Sequence, residues 1–476
     1  MTSGDGSFRE WFTHHPVLGL ALVVVVLAVA VDVGRGAVAT LSTHKAVHAA
    51  SPVHVKGKGG SQHQGGRKHG ASTPSVTHRH QTGQGTPSRV PGASAPPPAA
   101  AASWAASSPA VMTHGVVHQV PLSINSSCGA DVTQPLEAWL AKVPDGTPYR
   151  PSIVAFPRGG CYAMASGISL TDRRWIVLRG NGSTIRATTT TTDPVVGIHR
   201  GCGIDVLSFH LVGRDPVAGH WDSHLYGEHG VAYLGVGDPA VCPAGPPSII
   251  ADNTIRNVYG DGIKLGMSLC HAGCFRATYH VLVQGNIDYG SGREGVGPDD
   301  AHDVTIQDNV FVVVGHDFIS GELYKRWGAT DISIVHNLFG QRGCGSGRCG
   351  GYYFVQFHGH GAISNILVED NKVTGGTLLS GFTSYTGTPV AGVKFVGNVA
   401  AKPMVSPAMV MLSNAADVVI ARNQEPIGPG NRFLVFLSSC RNVQVVSNTV
   451  IGLRPHNVVR LKRGHSVGIV TSGNKT

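Results

Sequence analysis

The sequence predicts an all-β protein whose residues 119–476 form a parallel solenoid, preceded by a membrane-spanning or export segment and a disordered linker. Three observations predict it. An interrupted strand recurs through the second half of the chain as "SIIADNTI", "VLVQGNID", "VTIQDNVF", "ISIVHNLF", "ILVEDNKV", "VKFVGNVA", "VVIARNQE" and "VQVVSNTV", and recurrence at a fixed short period marks a stacked architecture. Within each unit apolar residues alternate, as Val304 and Ile306 do, and no 3.6-residue stripe runs through it. Finally, 64 Gly with only 14 % charged residues suits tight turns and a Val-rich pleat better than helices.

The N-terminal part divides by composition. Residues 1–15 read as a short cytoplasmic segment. Residues 16–33, "PVLGLALVVVVLAVAVDV", are apolar apart from Asp32, close to the shortest length that spans a bilayer. We read them as a single-pass membrane anchor with the C-terminal side outside; the alternative is an export signal cleaved near "AVA" at 37–39. Both readings place the solenoid outside the cell. Residues 34–118 are Gly, Ser, Pro, Ala, His and Gln with little to bury, so they read as a disordered tether of about 50 Å coil dimension.

The formal charge of +9 belongs to that tether. It carries eight Lys or Arg and no acid, and with the −2 of the first 33 residues this leaves only +3 on residues 119–476. A nucleic-acid-binding fold is therefore not expected. All nine Cys follow the tether, as export into an oxidising compartment requires. Local pairs Cys270/Cys274 and Cys344/Cys349, longer pairs Cys128/Cys161 and Cys202/Cys242, and a buried free thiol at Cys440 are the expected arrangement. No zinc site is expected, because only His271 stands near paired thiols.

The solenoid explains its recurring Asn. Asn253, Asn286, Asn309, Asn337, Asn371, Asn398, Asn423, Asn448 and Asn474 lie 23 to 34 residues apart, one coil plus variable loops. Each is placed at a bend that demands left-handed geometry, where Asn side chains of successive coils hydrogen-bond in a ladder. A second short strand falls between the Asn units, and "AMVMLS", "FLVFLS" and "VVRLKR" align Val410, Val435 and Val459, then Leu412, Leu437 and Leu461. An amphipathic helix is expected to cover the first coil. Thr133 before Pro135 suits its N-cap, and Leu136, Trp139, Leu140 and Val143 form its stripe.

These rungs, with "CGADVTQPLEAWLAKVPDG" and the following "IVAFPRGGCYAMASGISLTDRRWIVLRGNGSTIRA", resemble the right-handed parallel β-helix superfamily of the pectate-lyase and polygalacturonase type. The resemblance covers residues 120–476. It implies a right-handed β-helix with polysaccharide bound along the outer face of one sheet, near mid-solenoid. The stretch from Gly295 to Arg326 further resembles alginate C5-epimerases, although Gly297 and Asp299 stand where that family has its catalytic Asp and His.

The polar cluster of the chain lies between 257 and 361. Hydrolysis needs two carboxyl groups flanking a glycosidic bond, and Asp299, Asp300 and Asp317 with His316 are the candidate catalytic residues. Uronate lyase or epimerase chemistry needs a base and a cation that neutralises the sugar carboxylate. Lys264, His302, Glu322, Lys325, Gln356, His358 and His360 are the candidate substrate-binding residues. The same residue types also cap solenoid corners by bonding local amides. The expected partner is a polysaccharide, for an enzyme of lyase, epimerase or hydrolase type or for a non-catalytic glycan-binding protein. A Ca²⁺ requirement and the oligomeric state are not readable from the sequence, and no metal ligands are assigned.

Overall fold

Alternating apolar residues wind into coils of three strands, and like strands of successive coils pair in parallel. The computed structural model describes residues 114–266, 277–323, 328–342, 353–375, 377–385, 387–401, 408–426, 433–452, 458–462 and 466–475. The expected anchor at 16–33, residues 34–113 of the expected linker, the pairs Cys270/Cys274 and Cys344/Cys349, and Lys325 all lie outside the described residues, whereas Val116–His118, expected in the linker, belong to a strand that pairs with Ser152–Ala155. Among the described residues no helix is long and apolar enough to cross a membrane.

Among the described residues three sheets run the length of the solenoid. Sheet A, of 14 strands, extends from Val116–Gln119 to Val467–Ser472; sheet B, of 12, from Ser127–Asp131 to Thr449–Ile451; sheet C, of 11, from Ile168–Thr171 to Val459–Leu461. Register explains the core. In sheet A, Val281, Val304, Ile332 and Ile366 stack in one column and Val283, Ile306, Ile334 and Val368 in the next, all buried. Each such side chain contributes about 1.5–3 kcal/mol by leaving water. In sheet C, Val410 pairs with Val435 and Val435 with Val459, and the Leu column follows two residues later, as the sequence pattern predicts.

The Asn ladder is continuous. Asn253 Nδ2 donates to Asn286 Oδ1 at 3.0 Å, Asn286 to Asn309 at 3.0 Å, Asn309 to Asn337 at 3.0 Å, and so on through Asn371, Asn398, Asn423 and Asn448 to Asn474. Each Oδ1 also accepts the backbone N–H of the Asn one coil before, for example Asn286 N–H to Asn309 Oδ1 at 2.9 Å. One expectation is corrected. The left-handed residue is the one before each Asn: Asp252, Gly285, Asp308, His336, Asp370, Gly397, Arg422, Ser447 and Gly473 carry positive φ, and the Asn do not. The preceding residue makes the bend, and the Asn it turns inward bonds the buried amides.

The covering helix is Thr133–Leu140, with Leu136, Leu140 and Val143 buried and Trp139 packed against the core. Its cap differs from expectation. Thr133 is the first helical residue, and its N–H and hydroxyl donate to Asp131 Oδ1 at 3.0 and 2.7 Å, so the carboxylate two residues earlier satisfies the helix start. Disulfides Cys128–Cys161 and Cys202–Cys242 close loops of 33 and 40 residues, and Cys440 is free and buried, all as expected.

Two carboxyl groups occupy columns of the interior. In sheet B, Asp288 stacks between Ile255 and Phe311, and Glu425 stacks on Val450. The Ser291 hydroxyl lies 2.7 Å from both Asp288 oxygens, and Glu425 accepts the Leu378 N–H at 3.1 Å. Burial pushes both acids up, each to about 8. Between their unfolded values and about 8, the folded state holds protons that the unfolded chain has lost, so stability falls as pH rises. Burial also lowers His229 to about 4, which gives the opposite slope up to about 6.5, where the unfolded His loses its proton. We therefore expect the melting temperature to fall between about pH 6.5 and pH 8. Asp288→Asn and Glu425→Gln each remove a share worth about 1.4 kcal/mol per pH unit over the titrating range.

Candidate functional site

The corner that enters sheet C carries an ionisable residue on four successive coils. His229, Asp261, Glu294 and Asp317 each lie two residues before the strand positions Val231, Ile263, Val296 and Ile319, which pair in register. Backbone bonds from Gly230 to Asp261, Gly262 to Glu294 and Gly295 to Asp317 hold the column together. Asp261, Glu294 and Asp317 are fully buried. Gly297 makes room where Asp261 and Glu294 converge with Lys264: a Cβ there would sit 2.7 Å from Asp261 Oδ2, 2.7 Å from Glu294 Oε2 and 3.0 Å from Lys264 Nζ.

Two cations hold this cluster. Lys264, between the core residues Ile263 and Leu265, bonds Asp261 at 3.2 Å and also Asp299. Arg293 bonds Asp261 at 3.4 Å and Glu322 at 2.6 Å, and its guanidinium lies 3.1 Å from Glu294. Burial pushes Asp261 up, but Lys264, Arg293 and His229 more than reverse this and leave its carboxyl at about 2. Burial holds Glu294 well above the usual carboxylate range despite Arg293. Lys264 is drawn down by burial and lifted further by Asp299 and Asp261, so it stays charged. His229 is neutral: its Nδ1 accepts the Asp261 N–H at 3.0 Å, which places the proton on Nε2.

Above the cluster a cleft of ≈ 260 Å³ opens, lined by Trp221, Ser223, Tyr226, Arg293, His316 and Glu322. Its aromatic wall comes from the insert between strands His210–Val212 and Val231–Leu234. That insert is pinned by Glu228, which accepts the N–H groups of Arg214 at 3.0 Å and Tyr259 at 3.4 Å. Trp221 and Tyr226 remain 47 % and 36 % exposed, and the Trp221 ring lies 5.9 Å from that of His316. The next coil continues the surface. His358 pairs in register with Glu322, and Tyr385 meets the rings of His358 and His360 at 5.9 and 5.5 Å. Burial lowers His358 against the pull of Glu322 and Asp299, and its buried Nδ1 has no hydrogen-bond partner among the described residues.

The structure groups some sequence candidates and separates others. Lys264, Asp299, His316, Asp317, Glu322 and His358 surround the cleft or lie beneath it. Asp299 bonds Lys264 and accepts the Glu322 N–H at 3.1 Å. Asp300, its neighbour in sequence, turns toward sheet A, where it accepts the Gly328 N–H at 3.2 Å and lies 3.6 Å from His302. His302 stacks on Tyr279 and bonds Thr330, so Asp300 and His302 form a separate group. Asp317 accepts the Tyr353 N–H at 2.7 Å and lies 3.7 Å from His316 Nδ1. Gln356 pairs in register with Ser320 and Gly381 on sheet C. Of the carboxyl groups around the cluster, Glu322 lines the cleft, with its side chain 28 % exposed.

Asp261, Arg293, Glu294, Trp221, Tyr226 and Tyr385 were not among the sequence candidates. The signal for the first three was present, since "HGVA", "DGIK" and "EGVG" align once the sheet C strands rather than the Asn strands are superposed. A larger hollow of ≈ 440 Å³ lies at the end of the covering helix, where Arg173 is held by Asp145 at 2.7 Å and by the carbonyls of Leu140 and Val143. The cleft is the better site because aromatic faces, a carboxylate and an imidazole meet there. Among the described residues no group of three or more His, Cys, Asp or Glu is arranged to hold a metal ion.

No protein-family model matches the chain, and a comparison with curated proteins finds no match. Solved structures resemble it in fold. The catalytic unit of a GH87 α-1,3-glucanase from Streptomyces thermodiastaticus is 14 % identical over 76 % of this chain and 69 % of that one, with a TM-score of 0.46. The A-module of the mannuronan C-5 epimerase AlgE6 from Azotobacter vinelandii is 16 % identical over 73 % and 96 %, with a TM-score of 0.42. PfbA, a surface adhesin of Streptococcus pneumoniae, is 12 % identical over 73 % and 88 %, with a TM-score of 0.46. The chain is a parallel β-helix protein, an architecture that its own three stacked sheets display.

Proposed function

We propose that the protein acts on a polysaccharide lying along the outer face of sheet C, with the cleft as its binding site and Glu322 as its reactive carboxylate. The observation that carries this reading is the meeting of two exposed aromatic side chains, Trp221 and Tyr226, with Glu322 and His316 in one cleft. Aromatic faces stack on the apolar faces of sugar rings, and a carboxylate beside an imidazole can serve acid–base chemistry at a glycosidic bond. Arg293 bonds Glu322 at 2.6 Å and orients it for the role of base or nucleophile, while His316 and His358 are the groups placed to exchange protons beside it. Successive coils, about 4.8 Å apart, carry the surface on to His358, His360 and Tyr385, which suits an extended chain rather than a single sugar.

A second reading, a non-catalytic glycan-binding protein, is favoured by one observation: Asp261, Glu294, Asp299 and Asp317 are buried beneath the cleft, and hydrolysis needs two accessible carboxyl groups. The proposal extends to location. Residues 16–33 would anchor the chain and hold the β-helix outside the membrane, and the two disulfides support an oxidising compartment.

The test uses the full chain and a panel of polysaccharides, following reducing ends, unsaturated products and epimerised sugars by NMR. We expect turnover that Glu322→Gln lowers at least about 100-fold, with melting behaviour retained. Retention on a glycan column without turnover, abolished by Trp221→Ala, would select the binding reading. Turnover untouched by both variants would remove the cleft from the function.

A further inference from the structure

The charge of the cleft identifies the class of sugar it takes. This step rests on the cleft being the glycan site. A uronate polymer brings one carboxylate per sugar, and its recognition needs cations with unspent charge. Among the described residues the cations at the cleft are Arg293 in its wall and Lys264 beneath it. Both are already surrounded: Lys264 by Asp261 and Asp299, Arg293 by Asp261, Glu294 and Glu322. Among the described residues both cations are thus engaged by at least two carboxyl groups each. His229 and His358 contribute no compensating charge at neutral pH, because burial favours their neutral forms.

Nor can Arg293 turn to a substrate carboxylate cheaply. Its guanidinium side chain is only 12 % exposed and spans three acids, so moving it would strand buried charge. Among the described residues, Trp221, Ser223, Tyr226 and His316 line the cleft beside Glu322 and Arg293.

We infer that the cleft binds glycans whose sugars carry no carboxylate, neutral or amino sugars, and repels polyuronates. The lyase and epimerase chemistries considered from the sequence then find no unengaged cation among the described residues of the cleft, which favours cleavage or binding of a carboxylate-free glycan at this site.

The experiment measures binding of the full-length protein to gluco-oligosaccharides of several linkages, to chito- and chitosan hexasaccharides, and to hexagalacturonate and hexamannuronate. Each is measured with wild type, Trp221→Ala and Glu322→Gln. We expect at least one carboxylate-free probe to bind in a Trp221-dependent manner, at least about 10-fold more tightly than either uronate at low salt. Uronate binding should strengthen as salt rises, since screening relieves repulsion. Glu322→Gln, which leaves Arg293 one partner short, should narrow the preference about 10-fold by improving uronate binding. Trp221-dependent uronate binding in wild type that weakens with salt would overturn the charge inference while leaving the cleft as the site. Absence of Trp221-dependent binding by every probe would overturn the cleft reading itself, and the charge inference with it.

Discussion

Asn309→Ala is expected to destabilise the β-helix by about 2–5 kcal/mol, seen as a lower urea midpoint with little change in cooperativity. The side chain lies inside the solenoid at 1 % exposure and serves both neighbouring coils. Its Oδ1 accepts the N–H and the Nδ2 of Asn286, at 2.9 and 3.0 Å. Its Nδ2 donates to the carbonyls of Val283 and Gln307 and to Asn337 Oδ1, at 3.0, 2.9 and 3.0 Å. Truncation leaves the Asn286 N–H and the Val283 carbonyl without these partners in a place water does not reach, at about 1–3 kcal/mol each. Asn474→Ala provides the internal comparison. It is the last ladder residue among those described and is only partly buried, so its loss should cost distinctly less. A cost below about 1 kcal/mol at Asn309, or equal costs at both positions, would show that the ladder sets register without adding net stability.

How far the sequence disclosed the molecule follows from what repeats in it. The Asn ladder was legible because a side chain that must bond the next coil recurs at every coil. The Val and Leu columns of sheet C were legible only where the loops between them are short and even, as between 408 and 461. Upstream the gaps between Asn vary from 23 to 34 residues, and registering units on the Asn strands hid the column of His229, Asp261, Glu294 and Asp317 on the other side of each coil. Asp299 and Asp300 look like a catalytic pair as neighbours in a string. In space a corner falls between them, and one bonds Lys264 while the other bonds the Gly328 N–H. Trp221 and Tyr226 sit in an insert outside the repeat, so no periodicity could announce them. The displaced bend had a simpler cause: Arg422 and Ser447 take left-handed φ, and residue preference alone assigns that geometry to the following Asn.

Lys264→Met should destabilise the protein by about 3–5 kcal/mol at neutral pH, and the loss should shrink as the solution is acidified. The ammonium is almost wholly buried and bridges Asp261 and Asp299. Methionine fills much of the space of the stem but removes the ammonium that bridges the two carboxylates, and Arg293, which also meets Asp261, is already shared with Glu294 and Glu322. In wild type, Asp261 is held at about 2, below its unfolded value of 3.8. Its stabilising contribution is therefore complete above about pH 4 and disappears as pH falls toward 2. Without Lys264 burial is opposed less, and the folded-state value of Asp261 rises. Once it lies above 3.8, the variant gains stability as protons bind, the opposite slope to wild type for this group. Denaturation at about pH 7 and about pH 4 separates the outcomes. A loss that is large at the first and halved or less at the second fits an unpaired buried carboxylate, whereas an equal loss at both would trace the damage to packing around Ile263 and Leu265. Gly297→Val attacks the same cluster by bulk. Its side chain would enter the space where Asp261, Glu294 and Lys264 meet, so its cost should persist at both pH values and should not be relieved by protonation.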